Sequence, residues 1–179
     1  MRQKPQIVST QILAKTKLFK IEQVELHFSN GAVRHFERLC PTRHGAVMII
    51  PMLDDNTVLL VREYAAGVDR YELSLPKGIL EENESIEDAA NRELMEEVGY
   101  GARDLRQLKM LNTSPGYMSS GMKLVLARDL YEKRLPGDEP EEIEVVPWRL
   151  DQLKELFERE DFSEARSAAA LLMIREKMF

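Results

Sequence analysis

The segment IEDAANRELMEEV, residues 86–98, predicts a single helix whose two ends are both marked in the sequence. Ser85 occupies the N-cap position and Asp88 follows three residues later, which is a capping-box pattern. Gly99 is the residue type at which helices commonly stop. An amphipathic helix of this kind packs its apolar side against a neighbouring layer, so the segment predicts a layered fold around it.

The buried side of this helix carries acidic residues. At about 100° per residue, Ile86 and Ala89 mark the side that faces inward. Glu93 and Glu97 lie within about 20° of Ile86 on the same wheel, and Glu96 lies near Ala89. Carboxylates that face a core must be paired, protonated or bound to a cation. The helix therefore predicts a site as well as a fold.

Two interpretations of these glutamates follow from the residues alone. Oxygen-only ligands clustered in this way suit a hard divalent ion such as Mg²⁺ or Mn²⁺. Alternatively, they belong to a partly buried salt-bridge network in which Arg92 pairs with Glu96 four residues later. A solvated acidic face is disfavoured, because it would lie opposite Ile86. Asp88, Arg92 and Met95 are expected on the other sides of the helix.

Strands outnumber helices in the rest of the chain, which predicts an α/β or α+β layered domain. An N-terminal antiparallel β region is expected at 1–43 and the main domain at 44–179. The Asn-Gly turn at Ser29–Gly31 predicts a hairpin. The expected strands are 18–28, 32–39, 46–52, 57–64, Tyr71–Leu75, Leu105–Leu111 and Lys123–Arg128. A loop is expected at 135–144, followed by VVPW. The later helices are Asp151–Glu158 and Glu164–Lys177, the last capped by Ser163.

Composition excludes several function classes. The net charge of −6 gives no reason to expect a nucleic-acid polymer as partner. Three histidines and one cysteine, Cys40, argue against a zinc site, and a lone cysteine forms no internal disulfide. The N-terminus lacks an apolar run long enough for a signal peptide or a membrane span. A cytoplasmic protein without membrane association is expected.

Residues 78–100, GILEENESIEDAANRELMEEVGY, resemble the Nudix box, the signature of hydrolases that act on nucleoside diphosphates linked to another group. Tyr100 stands where an aliphatic residue is more usual. The resemblance extends through VREYAAG, ELSLPKG, TSPGYMSS and GDEPEEIE, which are similar in order and spacing to the ADP-ribose pyrophosphatase branch. The box positions matched are Gly78, Glu84, Arg92, Glu93, Leu94, Glu96, Glu97 and Gly99.

The resemblance implies a fold and a metal site. The fold is a Nudix-type α/β/α sandwich with an N-terminal β-hairpin region. Glu93 and Glu97 are implied as the principal metal ligands, Glu96 as an accessory ligand and Lys77 as a ligand through its backbone carbonyl. The expected ion is Mg²⁺ or Mn²⁺, with more than one ion per site. Glu96 and Arg92 are also implied as catalytic residues.

Three further residues of the box are implied to support the metal site. Gly78 lets the backbone turn tightly before the helix, Glu84 orients ligands and closes the loop, and Gly99 ends the helix. Glu84 also has a simpler interpretation, as a carboxylate favourably placed near a helix N-terminus.

A general base is implied on the late acidic stretch GDEPEEIE, residues 137–144. In the ADP-ribose pyrophosphatase branch, the base lies on a mobile acidic loop near the end of the chain. Glu139 and Glu141 are the candidates here, with Glu142 in reserve. A solvated acidic turn is the alternative.

Substrate contacts are implied in two other regions. Pro115 is expected under the terminal ribose, and Glu37 and Arg38 are on the N-terminal hairpin, which in this branch reaches across a homodimer. Arg62 is expected to approach a phosphate, or else to pair with Glu63 or Glu72.

The implied activity is hydrolysis of the diphosphate bond in ADP-linked compounds, which releases AMP and a phosphorylated product. Many ADP-ribose hydrolases carry arginine where this chain has Ala65. The absence of that arginine argues against strict ADP-ribose specificity. The resemblance implies a broader substrate range: ADP-ribose, NADH, and diadenosine di- and triphosphates. The alternatives are a GDP-mannose pyrophosphatase and a non-catalytic nucleotide-binding module.

Overall fold

In the computed structural model, residues 3–40, 45–119 and 121–178 are described. They fall into two compact units. The first comprises the described residues of Met1–Arg43 and Asn112–Gly121, and the second those of His44–Leu111 and Met122–Phe179. The division adds Asn112–Gly121 to the N-terminal region expected from the sequence. The added segment is hydrogen-bonded to that region, since Leu39 N–H donates to the Tyr117 carbonyl at 2.8 Å.

The first unit contains a three-stranded antiparallel sheet. Its strands are β1 (Gln6–Lys15), β2 (Lys20–His27) and β3 (Val33–Leu39), in the order β1-β2-β3. The predicted hairpin is β2–β3, and its turn contains Gly31 at φ +83°. Strand β1 was not predicted. Every one of its residues is exposed, so it lacks the alternation of buried and exposed positions that marks a half-buried strand.

The second unit contains two sheets. One has the order β10-β5-β6 and the other β7-β4-β9-β8. Within the second sheet, β4 is parallel to β9 and antiparallel to β7. The strands are β4 (Ala46–Pro51), β5 (Thr57–Ala65), β6 (Arg70–Ser74), β7 (Lys77–Ile79), β8 (Tyr100–Asn112), β9 (Gly121–Glu132) and β10 (Glu144–Arg149).

Helices cover the sheets of the second unit on both faces. Strand β4 shows this, since its alternate side chains enter two different cores. Val47 and Ile49 join the core that also contains Ala90, from helix α1 (Ile86–Glu93). Met48 and Ile50 join the core formed with helices α2 (Leu153–Phe157) and α3 (Ala165–Arg175). This arrangement confirms the predicted α/β/α sandwich.

The predicted helix at 86–98 is α-helical only in its first part. Ser85 caps α1, accepting from Asp88 N–H at 3.0 Å, as the capping box predicts. Leu94–Val98 then forms a π-helical turn that ends at Gly99, whose φ is +80°. The wider turn rotates the following side chains relative to an α-helical wheel. Met95, which the wheel places on another side of the helix, is buried as well.

The C-terminal helices were predicted with one wrong cap. Helix α2 follows a 3₁₀ turn at Leu150–Gln152, and α3 begins after Glu164. The Glu164 carboxylate accepts from the N–H groups of Arg166 and Ser167, at 3.2 and 2.7 Å. Ser163, the predicted cap, instead donates to Glu72 through both N–H and Oγ. None of the described helices is long and apolar enough to cross a membrane.

Candidate active site

An acidic cleft of about 650 Å³ lies in the second unit. Its floor is the C-terminal part of α1 with the π-helical turn, and its sides are β7 and the start of the late acidic stretch. The cleft is lined by Glu63, Lys77, Gly78, Ile79, Leu80, Glu81, Arg92, Glu93, Glu96, Glu97, Pro136, Gly137, Asp138, Glu139 and Pro140.

The three glutamates of the helix lie at the positions that the wheel predicts. Glu93 and Glu97 are buried, with 8% and 4% of their surface exposed, and Glu96 is half-buried. All three line the cleft. Acidic side chains are seldom buried to this degree unless they are paired or bound to a cation.

Arg92 pairs with three of the nearby carboxylates. Its Nη1 donates to Glu93 Oε1 at 2.7 Å and to Glu96 Oε2 at 3.0 Å. Its Nε and Nη2 hold Glu84 in a two-point contact at 2.9 and 3.0 Å. The salt-bridge network considered from the sequence is therefore present. Because one guanidinium faces three carboxylates, it leaves negative charge in the cleft uncompensated.

Glu97 lies outside the Arg92 network. Its Oε2 accepts from the backbone N–H of Lys77 at 3.1 Å, and the Lys77 ammonium pairs with Glu63 at 3.0 Å. Burial raises the pKa of Glu97 to about 8, against opposing effects from Lys77. Burial likewise raises the pKa of Glu93. Both carboxylates would be stabilised in their charged form by a cation in the cleft.

The residues of the cleft fit a divalent cation. The donors are carboxylate oxygens, which Mg²⁺ and Mn²⁺ prefer. Gly78 leaves room for the Glu93 carboxylate, since a Cβ at this position would lie 1.9 Å from its carboxyl carbon. In the described part of the chain, no three His, Cys, Asp or Glu side chains converge closely enough to hold an ion. Arg92 holds Glu93 and Glu96 in their present positions, so these two side chains must rotate before they can bind a metal ion.

Glu84 connects the loop before α1 to the Arg92 network. Besides its contact with Arg92, it accepts from the backbone N–H of Glu81 at 2.9 Å. The hydrogen bond to Arg92 holds the pKa of Glu84 below its usual range. These are the contacts that a residue closing the loop would make, and the supporting role stays a prediction.

The late acidic stretch places its glutamates in different surroundings. Glu139 is half-buried and lines the cleft, and its charge contributes to raising the pKa of Glu93. Glu141 is exposed and accepts from the Tyr71 hydroxyl at 2.5 Å. Glu142 is exposed and does not line the cleft. Tyr71 and Glu63 were not among the predicted site residues, because their contacts join positions far apart in sequence.

Two of the predicted substrate contacts share a cavity in the first unit. Arg38 and Pro115 line a space of about 270 Å³ together with Phe36 and Tyr117. Arg38 also pairs with Glu22 at 2.8 Å. Glu37 is exposed on β3 and does not line this cavity. The substrate-binding roles stay predictions.

Arg62 and Gly99 have structural contacts in the second unit. Arg62 pairs with Glu144 at 2.8 Å and with Asp161, rather than with Glu63 or Glu72, and it does not line the acidic cleft. Its approach to a phosphate stays a prediction. Gly99 lies beneath the Arg134 side chain, whose Nη2 would be 2.9 Å from an added Cβ.

Comparison with known proteins agrees with this architecture. A model of the NUDIX domain matches residues 42–171, and a model of the NudE-type Nudix hydrolase N-terminal domain matches residues 5–38. The chain is 49% identical over 174 residues to the ADP compounds hydrolase NudE of Escherichia coli (strain K12), an alignment covering 97% of this chain and 93% of the relative. It is 29% identical over 174 residues to the ADP-ribose pyrophosphatase of Bacillus subtilis (strain 168), covering 92% of each.

A solved structure shows the same fold. The crystal structure of an ADP compounds hydrolase matches with a TM-score of 0.91 at 48% identity, covering 99% of this chain and 96% of that chain. The resemblance first seen in residues 78–100 thus extends over nearly the whole chain.

Proposed function

The chain belongs to the Nudix hydrolase family, and on that premise we propose that it hydrolyses the diphosphate bond of ADP-linked compounds. The proposed substrates are ADP-ribose, NADH and diadenosine di- and triphosphates. The products are AMP and the phosphorylated remainder. Relatives that match most of the chain, an ADP compounds hydrolase and an ADP-ribose pyrophosphatase, support this substrate class.

The observation that carries the proposal is the burial of Glu93 and Glu97 in the acidic cleft. Nudix hydrolases generally need a divalent metal ion. We assign Glu93, Glu97 and the accessory Glu96 as its ligands here, with the Lys77 carbonyl as a further donor. Mg²⁺ or Mn²⁺, in more than one copy, is the proposed cofactor.

When bound, the divalent ion neutralises the diphosphate and makes its phosphorus more open to attack. Glu139 accepts a proton from the attacking water, whose oxygen forms a new bond to phosphorus. The bridging P–O bond breaks, and its electron pair leaves with the departing phosphate group. Arg92 and Glu84 keep the glutamates oriented, which is the role that residues behind a ligand commonly play.

Glu139 is the better candidate for the base. It faces the cleft, whereas Glu141 is committed to Tyr71 on the exposed side of β6. A base must reach the attacking water directly or through one intervening water, and of these two glutamates Glu139 is the one that lines the cleft. The choice between these two glutamates was open in the sequence.

A homodimer formed through the N-terminal sheet completes the proposal. Strand β1 is an edge strand whose ten residues are all exposed, including the large apolar side chains Ile7, Val8, Ile12 and Leu13. Long apolar edge strands are rarely left uncovered. Sedimentation equilibrium should give twice the 20.7 kDa chain mass. A single-chain mass at assay concentrations would contradict the dimer.

The substrate class is tested by release of the nucleoside monophosphate, which is AMP from the adenine compounds and GMP from GDP-mannose. ADP-ribose, NADH, diadenosine triphosphate and GDP-mannose are each incubated with Mg²⁺ and, separately, with EDTA. Hydrolysis of the adenine compounds only with metal is the expected result. Preferential hydrolysis of GDP-mannose would favour a GDP-sugar pyrophosphatase. Binding of ADP-ribose without turnover of any compound would favour a non-catalytic nucleotide-binding module.

A further inference from the structure

We propose that Tyr71 is a positioning residue, which holds Glu141 and thereby keeps Glu139 in the acidic cleft. The proposal rests on the proposed function, since it assigns Glu139 as the base. Under this proposal Glu141 is the point at which the late acidic stretch is tied to β6, and it takes no proton from water.

The contact between Tyr71 and Glu141 is well placed for this role. The Tyr71 hydroxyl donates to Glu141 Oε1 at 2.5 Å, a short, charge-assisted hydrogen bond. Tyr71 lies on β6, which is paired with β5. Its ring packs edge-on against Tyr64, with the centroids 5.7 Å apart. The donor is therefore attached to a sheet and braced by a second ring.

The chain just before the late acidic stretch is held separately. Lys133 N–H donates to the Gly99 carbonyl at 3.0 Å, and Leu135 N–H donates to the Met95 carbonyl at 3.1 Å. The Met95 carbonyl is available because Gly99 N–H, its α-helical donor, bonds to the Leu94 carbonyl instead. The π-helical turn that contains Glu96 and Glu97 thus also supplies an anchor.

Glu139 lies between these two anchors, four residues after Leu135 and two before Glu141. A segment held at both ends has fewer conformations to lose when its side chain adopts the reactive geometry. Releasing one end lets Glu139 move, and a displacement of about 1 Å can lower a rate by about 100-fold. A loss of about tenfold in kcat is expected on releasing Glu141 from Tyr71, because the Leu135 anchor remains and the chain is held again from Glu144, where β10 pairs with β5.

The test compares Tyr71→Phe with Tyr64→Phe. The second variant is the matched control, because Tyr64 is also exposed and donates its hydroxyl to a carboxylate, Asp69, at 2.5 Å. Tyr71→Phe should lower kcat for ADP-ribose about tenfold with KM within about twofold, and Tyr64→Phe should change neither. Cleavage by a Glu-specific protease after Glu141 or Glu142 should be faster only in Tyr71→Phe. Equal kcat and equal cleavage in the two variants would overturn the proposal.

Substitutions of Glu141 separate an anchor from a base. Glu141→Gln keeps an oxygen that accepts from Tyr71, so it should retain most of kcat, whereas Glu141→Ala should match Tyr71→Phe. The double variant Tyr71→Phe/Glu141→Ala should be no slower than either single variant. Equal, severe loss in Glu141→Gln and Glu141→Ala would make Glu141 the base and overturn the proposal. Lack of activity in the unmodified protein would instead contradict the proposed function.

Discussion

Gly78 and Glu93 occupy the same small region of the acidic cleft, so that a Cβ on Gly78 would stand 1.9 Å from the Glu93 carboxyl carbon. The absence of a side chain at Gly78 therefore makes room for this carboxylate. Gly78 itself lies within β7, paired with Val47, and not at the tight turn expected from the sequence. The side chain that needs this space is a buried acidic residue that we assign as a metal ligand.

Gly78→Ala should lower kcat by about 100-fold, because its methyl group would crowd the Glu93 carboxylate and hinder the rotation that metal binding requires, and a ligand misplaced by about 1 Å can lower a rate by that factor. Steady-state assays with ADP-ribose and Mg²⁺ measure the effect. Gly67→Ala is the control, since an added Cβ there meets nothing within 4 Å. If both variants retain full kcat, Glu93 is not held by Gly78 in the active enzyme.

Glu97→Gln should lower kcat by about 100-fold or more, because it removes the charge of a metal ligand and keeps its shape. It should also weaken the protection that Mg²⁺ gives against thermal unfolding. Glu87→Gln is a suitable control, since Glu87 is exposed in the first turn of the same helix. Equal activity and equal Mg²⁺ protection in the unmodified protein and Glu97→Gln would show that Glu97 binds no metal.

The raised pKa of Glu97 predicts a pH-dependent stability in EDTA. Its folded-state pKa is about 8, above the ordinary value of 4.5, because burial disfavours the charged form. The associated stability is fully present below pH 4.5 and is lost as the pH rises towards 8. The free energy of unfolding of the unmodified protein minus that of Glu97→Gln should therefore fall by roughly 2–5 kcal/mol between pH 5 and 8.5. If the free energy of unfolding changes with pH in the same way in both proteins, Glu97 does not have a raised pKa.

Glu139→Gln should lower kcat by about 100- to 10,000-fold if Glu139 is the base. The thermal shift caused by Mg²⁺ should remain, since Glu139 is not assigned as a ligand. Glu142→Gln is the control, because Glu142 is exposed and does not line the cleft. If Glu142→Gln proves the slower variant, the base lies further along the late acidic stretch.

The sequence predicted local features well where a periodic pattern determined them. Ser85 caps its helix as expected, and Glu93 and Glu97 are buried as the wheel predicts. The wheel did not show that Met95, on another side of the helix, is buried too. It assumed an α-helix throughout, and no pattern in the sequence marked the π-helical turn at Leu94–Val98.

Contacts between distant positions were less predictable. Arg62 pairs with Glu144 and Asp161, which are 82 and 99 residues away, whereas the sequence offered only nearby partners. The Tyr71–Glu141 hydrogen bond spans 70 residues. Both depend on which strands become neighbours in the folded sheets, and no local pattern records that. The choice between Glu139 and Glu141 required this information.

The central claim is that the acidic cleft directs metal-dependent cleavage of a diphosphate bond. Phosphorus NMR of ADP-ribose incubated with the protein and Mg²⁺ tests it most directly. The account predicts that the paired diphosphate resonances disappear and that two phosphomonoester resonances replace them, those of AMP and ribose 5-phosphate, and that EDTA or Glu97→Gln prevents this. Diphosphate resonances that persist with Mg²⁺, or that disappear equally fast in EDTA, would contradict the account.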